Sequence, residues 1–344
     1  MAYTTIDNPF KHFNTKLTTG TGSSQAVTGV GFQPDWIWGK RRDSTGHNSL
    51  FDSVRGITKG LESNQTNAEF TSTDYYSSFD SDGFTIAAGS GGAGNGSSQT
   101  AVQWCWKAGG AASSNSNGSI TSSVSVNTTA GFSVCSWTGN SGTIGHGLGV
   151  KPDMIIIKSR QTSNNWVVLH NSLTGGMDTN GIVLNDTAAE TSGGSGMAEP
   201  TSSVFTITAG LAANDNNIGY LFTEKKGYSK FGKYTGNGST DGTFIYTGFK
   251  PAFIIMKSSS HAVNWKVHDN KRDSINNGSG ASLSPNENSA EDDNTAYDID
   301  LLSNGFKQKN NNANMNSNTY VYTYWAFAEA PFVTAGTKAA GTAR

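Results

Sequence analysis

A chain of 344 residues exceeds what one ordinary core fills and suits two or three domains of about 100 to 150 residues each. Its formal charge of −2 comes from 24 Lys and Arg against 26 Asp and Glu. That balance offers no basic face for nucleic acid or an anionic membrane, so neither is expected as a partner. Glycine numbers 42, nearly twice the average usage of about 7%, and charged residues are only 15%, which favours many short strands joined by turns.

In chain order, residues 1–17 read as an N-terminal arm. The opening "MAYTTIDNPFKHFN" has neither the basic n-region nor the apolar h-region of a secretory signal, and no run of 18 apolar residues follows anywhere. Synthesis in a cytoplasm is therefore expected. Then comes "GFQPDWIWGK", from Gly31 to Lys40, which returns as "GVKPDMIIIK" from Gly149 and as "GFKPAFIIMK" from Gly248. A phrase recurring about every hundred residues is an element of architecture before it is an active site.

The prolines of that phrase, Pro34, Pro152 and Pro251, anchor further landmarks in a constant order. A glycine-rich turn precedes each one, and a lysine follows six residues later, at Lys40, Lys158 and Lys257. Fourteen residues after the proline stand Asn48, Trp166 and Trp265, and eighteen after it stand Asp52, His170 and Asp269. Next come "DGFTIAA", "SVFTITA" and "NGFKQKN", and the closing aromatic runs "VQWCWKA", "IGYLFTE" and "TYWAFAE". Three tandem homologous units follow, at 18–110, 137–232 and 233–332. Residues 111–136 are a linker with material for one extra hairpin in "SITSSVSV" and "GFSVCSW", and 333–344 are a tail with nothing to bury.

Within each unit the runs are strand-like. "WKVHD" and "FTITA" alternate with period two, whereas "MIIIK" and "FIIMK" are unbroken and suit a strand covered on both faces. The expected fold is all-β, three β-sandwich units of jelly-roll or lectin-like type with little helix. The phrase becomes a core strand, entered through a proline turn and left through a solvated lysine.

Chemistry is sparse. The paired carboxylates of a glycosidase stand about 5 to 9.5 Å apart, but Asp52 and Asp269 sit at equivalent strand ends of different units. The cluster Glu287, Glu291, Asp292, Asp293, Asp298 and Asp300 is dense in hard oxygen donors, yet its spacing matches no standard calcium loop, and a solvated face is favoured. The six histidines show no metal spacing, and Cys105 and Cys135 read as buried free thiols. No phosphate loop or nucleophile elbow occurs. No cofactor, no metal and no catalytic residue is assigned. Trp166, Trp265, Asp52, His170 and Asp269 are the candidate binding residues, toward a glycan or a partner. Core packing is the favoured reading for the two tryptophans, whose neighbours Val168 and Val267 alternate with them.

The stretch "GYSKFGKYTGNGSTDGTFIYTGFKPAFIIMK", with "NWKVHDNKRD", "LLSNGFK" and "YTYWAFAEAPF", resembles a repeat domain without established activity. That domain is found in virion and tail-fibre-like proteins of tailed bacteriophages, many of them marine. "HFNTKLTTGTGSSQAVTGVGFQPDWIWGK" with "SLFDSVRG" looks like the first unit of the same proteins, departing from the fuller pattern at Asn48. The resemblance implies a non-enzymatic virion protein, a tail fibre, receptor-binding or tail-associated component, with capsid decoration as the alternative. A tail-borne depolymerase or a free lectin ranks lower. Other virion proteins, further copies of the chain as in a trimer, and a host surface glycan are the partners it implies.

Overall fold

The computed structural model describes residues 4–89, 93–192, 197–207, 214–272 and 280–333. Among these the chain is all-β: the helical elements are two three-residue 3-10 turns, Pro9–Lys11 and Thr295–Tyr297. Seven antiparallel sheets among the described residues fall into three successive segments, each with a main sheet and a three-stranded sheet, and the third with a two-stranded pair besides.

The main sheets share one strand order. In the first segment Phe13–Thr19 pairs with the closing strand Thr100–Trp106, which pairs with Trp36–Arg41, then Asn48–Asp52, then Lys59–Glu62. In the second the same places are held by Phe132–Thr138, Asn216–Phe222, Met154–Ser159, Val167–His170 and Asn180–Val183. In the third they are held by Ser229–Thr235, Val321–Pro331, Phe249–Ser258 and Lys266–Asp269, with a bridge from Val267 to Leu283. The small sheets are centred on Gly83–Ile86, Val204–Ile207 and Gly305–Gln308.

The recurring phrase now has a physical account. Gly31, Gly149 and Gly248, three residues before each proline, all hold a positive φ, +91°, +73° and +83°, which a side chain would strain. Pro34 and Pro152 then lead into the strand, and Pro251 lies at a register irregularity within it, where no ladder donor is needed. Asp35 accepts from the backbone N–H of Ala108 and Gly110, at 2.7 and 3.2 Å, and Asp153 from that of Glu224 at 2.6 Å. The aspartate thus ties the phrase to the chain leaving the closing strand.

The strand after the proline is buried on both sides because it serves two cores. Ile37, Ile155 and Ile157, and Ile254 and Met256, face their own small sheets and form three separate apolar interiors. Trp36 and Trp38, Met154 and Ile156, and Phe253 and Ile255 point the other way and meet in one shared core. There the segments touch directly. Trp36 stacks on Tyr220 with centroids 4.4 Å apart, Phe13 lies 5.5 Å from Phe253, and Phe222 lies 5.7 Å from Phe327.

Several boundaries differ from the sequence reading. Residues 13–17 are not an arm: they form most of the first main-sheet strand, and Phe13 is wholly buried in the shared core. The corresponding strands Phe132–Thr138 and Ser229–Thr235 cross the expected edges at 137 and 233. The linker does contain a hairpin, Ser122–Asn127 with Phe132–Thr138, which is fully integrated into the second main sheet and extended by Ser113–Asn115. The tail beyond residue 333 lies outside the described residues.

Because the shared core is common property, Ile156→Asp should unfold more than its own segment, with a loss above about 4 kcal/mol for an unpaired buried charge. Tryptophan fluorescence in a denaturant series checks this. An unchanged unfolding midpoint would contradict the two-core placement of that strand.

Candidate functional site

The five candidate residues are all wholly buried, so none presents a surface to a glycan. Each is instead an interlocking group at a seam between segments. The Trp166 indole N–H donates to Glu62 O at 2.9 Å, and that of Trp265 to Val183 O at 3.0 Å. Asn48, at the same place in the first segment, donates its amide N–H to Ser284 O at 3.3 Å. Segment two therefore reaches segment one, three reaches two, and one reaches three, which closes a ring.

Backbone bonds repeat the same cycle. Asn164 N–H donates to Thr66 O, Val263 N–H to Thr187 O and Gly46 N–H to Asn288 O, at 2.9, 2.9 and 2.8 Å. In return Glu69 N–H donates to Arg160 O, Glu190 N–H to Ser259 O and Glu291 N–H to Arg42 O, all at 2.8 Å.

The three lysines expected in solvent are fully buried at these seams. Lys40 Nζ donates to Gly46 O and Asn288 O, Lys158 Nζ to Thr66 O, Ser159 O and Thr162 O, and Lys257 Nζ to Ser258 O and His261 O. Backbone carbonyls replace the water each ammonium loses. Burial still pushes each lysine down to about 8.

Asp52 and Asp269 are held in parallel networks. Asp52 accepts from Arg55 Nε and, across the seam, from Tyr220 Oη at 2.8 Å. Asp269 accepts from Arg272 Nε at 2.6 Å and, across another seam, from Trp104 Nε1 at 2.9 Å. Arg55 continues to Glu69, which takes Arg160 of the second segment, and Arg272 continues to Glu291, which takes Arg42 of the first. Burial opposes the charge on Glu69 and Glu291, yet the facing arginines leave both below the usual carboxylate range.

Among the described residues the third seam has no such chain of charges. His170 shares its Nε2 with Tyr324 O at 3.1 Å, Leu173 stands where the arginine would be, and Ser259 replaces the cross-seam arginine. Glu190 accepts from the backbone and hydroxyl of Thr174.

A carboxylate saturated by arginine and an aromatic donor inside a closed seam has no access to substrate, so Asp52 and Asp269 are positioned to hold the ring together. Cys105 and Cys135 are buried free thiols, and burial pushes the Cys135 thiol up to about 12, far from a reactive thiolate. Among the described residues no group of three His, Cys, Asp or Glu is arranged to hold a metal ion. Of the acidic stretch, Glu287, Glu291 and Asp292 line an open cleft of about 390 Å³ with Lys266, Ser282 and Tyr297, and Glu291 is there spent on two arginines. That cleft was not foreseen from the sequence. Its acids Glu287 and Asp292 read as a solvated face in the sequence, and the further signal was Lys266 and His268 standing where the second segment has Val167 and Leu169.

The ring spans almost the whole chain, and so does a family model that matches it, over residues 8–331. The chain belongs to the DUF7483 family, a domain of unknown function. The DUF7483 match takes in all three segments as one domain, as the shared core would require. No curated protein and no solved structure matches the chain.

Two buried imidazoles set an acid limit on this ring. Burial pushes His170 down to about 3 and His268 well below its ordinary value, with Arg272 and Lys266 adding to the second. Both stay neutral in the folded chain, while unfolded histidine gains a proton near pH 6.5. The unfolded state then binds more protons, so stability falls as pH drops through 6.5, by up to about 1.4 kcal/mol per pH unit for each histidine. Denaturant midpoints at pH 7 and pH 5 should differ accordingly, and the difference should shrink in His170→Gln with His268→Leu. A flat midpoint over that range would contradict the burial of both rings.

Proposed function

We propose that this chain is a non-enzymatic structural protein of a bacteriophage virion, carried on the tail as a fibre, receptor-binding or tail-associated component. The observation that carries this reading is the commitment of Asp52, Glu69, Asp269 and Glu291, of their arginines, and of Trp166 and Trp265 to closing a ring of three segments. The outward loops are left rich in Asn, Ser, Thr and Gly, a surface suited to docking and to polar recognition. A ring closed within one chain also fits a position on a threefold axis, where a fibre of three chains presents three similar faces.

A depolymerase is the weaker reading, since Asp52 and Asp269 are each neutralised by an arginine in separate seams. One observation favours capsid decoration as the second reading. The strand Phe244–Tyr246 is the edge of its small sheet and exposes Phe244 and Tyr246, an apolar edge that a neighbouring shell protein could extend.

Gold-antibody labelling of intact particles of the source phage tests both. The tail reading predicts label at the tail or its tip. Label over the head would favour decoration, and particles without label, on an epitope proven accessible, would contradict a virion role.

A further inference from the structure

The three segments act as internal controls for one another, and the third departs from the other two at one place. Fifteen and seventeen residues after the proline, the strand turns its side chains toward the segment's own side of the sheet. The first segment has Ser49 and Phe51 there, and the second has Val167 and Leu169, with Phe51 and Leu169 packed in their own interiors. The third has Lys266 and His268, 4% and 1% exposed.

Both polar groups are left wanting. Among the described residues the Lys266 ammonium has no hydrogen-bond acceptor, and it sits 3.8 Å from the centre of the Tyr297 ring. Among the described residues neither ring nitrogen of His268 has a hydrogen-bond partner. Ser282, 1% exposed on the neighbouring strand, also has an unpaired hydroxyl. Lys266 and Ser282 both line the cleft of about 390 Å³, together with Glu287, Asp292 and the half-buried Tyr297. A buried hydroxyl without a partner, such as that of Ser282, is costly, and a ligand that pairs with it removes that cost.

The chemistry of the lining selects the ligand. Lys266 faces two carboxylates, Glu287 and Asp292, so no net positive charge awaits an anion. Glu287 already accepts from Asn264 at 2.8 Å and keeps lone pairs to spare. Donors on one side, carboxylate acceptors on the other and an aromatic ring between them match a molecule with several hydroxyls and an apolar C–H face. The volume suits one sugar residue.

We propose that this cleft, beside the strand Lys266–Asp269, binds a neutral saccharide unit of a glycan. The inference deepens the tail reading, on which it rests for the source of the sugar, and it assigns recognition to the third segment alone.

The test is saturation-transfer NMR on the full chain with the methyl glycosides of glucose, galactose, mannose and N-acetylglucosamine, and methyl glucuronide as the anionic control. At least one neutral glycoside should bind at or below about 10 mM, the weak end of specific recognition. Tyr297→Ala and Lys266→Met should each weaken it at least about tenfold with unchanged far-ultraviolet circular dichroism. Tyr297 is half-buried, so its variant keeps the test valid if Lys266→Met misfolds. Absence of neutral binding, or binding that survives Tyr297→Ala in a folded chain, would overturn the site. A failed cleft with tail labelling intact leaves the virion reading standing, whereas sugar binding without any labelled particle overturns the virion reading and keeps the site.

Discussion

A strand that is apolar on both faces cannot lie at the surface of a two-layered sandwich, because one layer covers only one side. The strands Trp36–Arg41, Met154–Ser159 and Phe249–Ser258 all have that character. Each spends one face on its own small sheet and must find cover for the other. The three main sheets supply that cover to one another, and the shared core of Trp, Phe, Tyr and Ile follows from this one requirement. At about 1.5 to 3 kcal/mol for each fully buried large apolar side chain, such a core outweighs any single polar contact at its rim.

The seams then decide which arrangement of three sheets is allowed. Hydrophobic packing is non-directional, whereas an indole N–H, an arginine fork and a backbone ladder each need a partner at a fixed place. Trp166 on Glu62, Trp265 on Val183 and Asn48 on Ser284 all run the same way round, so the ring closes with one handedness. Removing one member of a buried pair such as Asp269 with Arg272 strands a charge in the dark, which is why such networks fix geometry more than they add stability. The seam between the second and third segments carries His170, Leu173 and Ser259 in place of charges. It has the fewest charge pairs among the described residues, and local opening should begin there.

Much of this was legible in the sequence because period-two alternation, unbroken apolar runs and glycine with proline at fixed spacing are local signals. The all-β sandwich class and the two-faced strand came from those signals. What escaped was long-range. Lys40, Lys158 and Lys257 follow apolar strands and so read as solvated, yet each is capped by carbonyls, from the partner segment in the case of Lys40 and Lys158. Trp166 and Trp265 gave no sign that their N–H groups cross a seam. The strand Phe13–Thr19 has a sparse apolar pattern, so only its pairing with Thr100–Trp106 reveals it. One clue was present in "DSVR" and "DNKR", where an arginine follows an aspartate by three residues, which in a chain of only 24 basic residues hints at a deliberate pair.

The three segments form one body through a common core. Differential scanning calorimetry of the intact chain should therefore show a single transition whose calorimetric enthalpy equals its van't Hoff enthalpy. Separate transitions, or a calorimetric enthalpy about three times the van't Hoff value, would mean that the segments melt independently and would contradict the shared core.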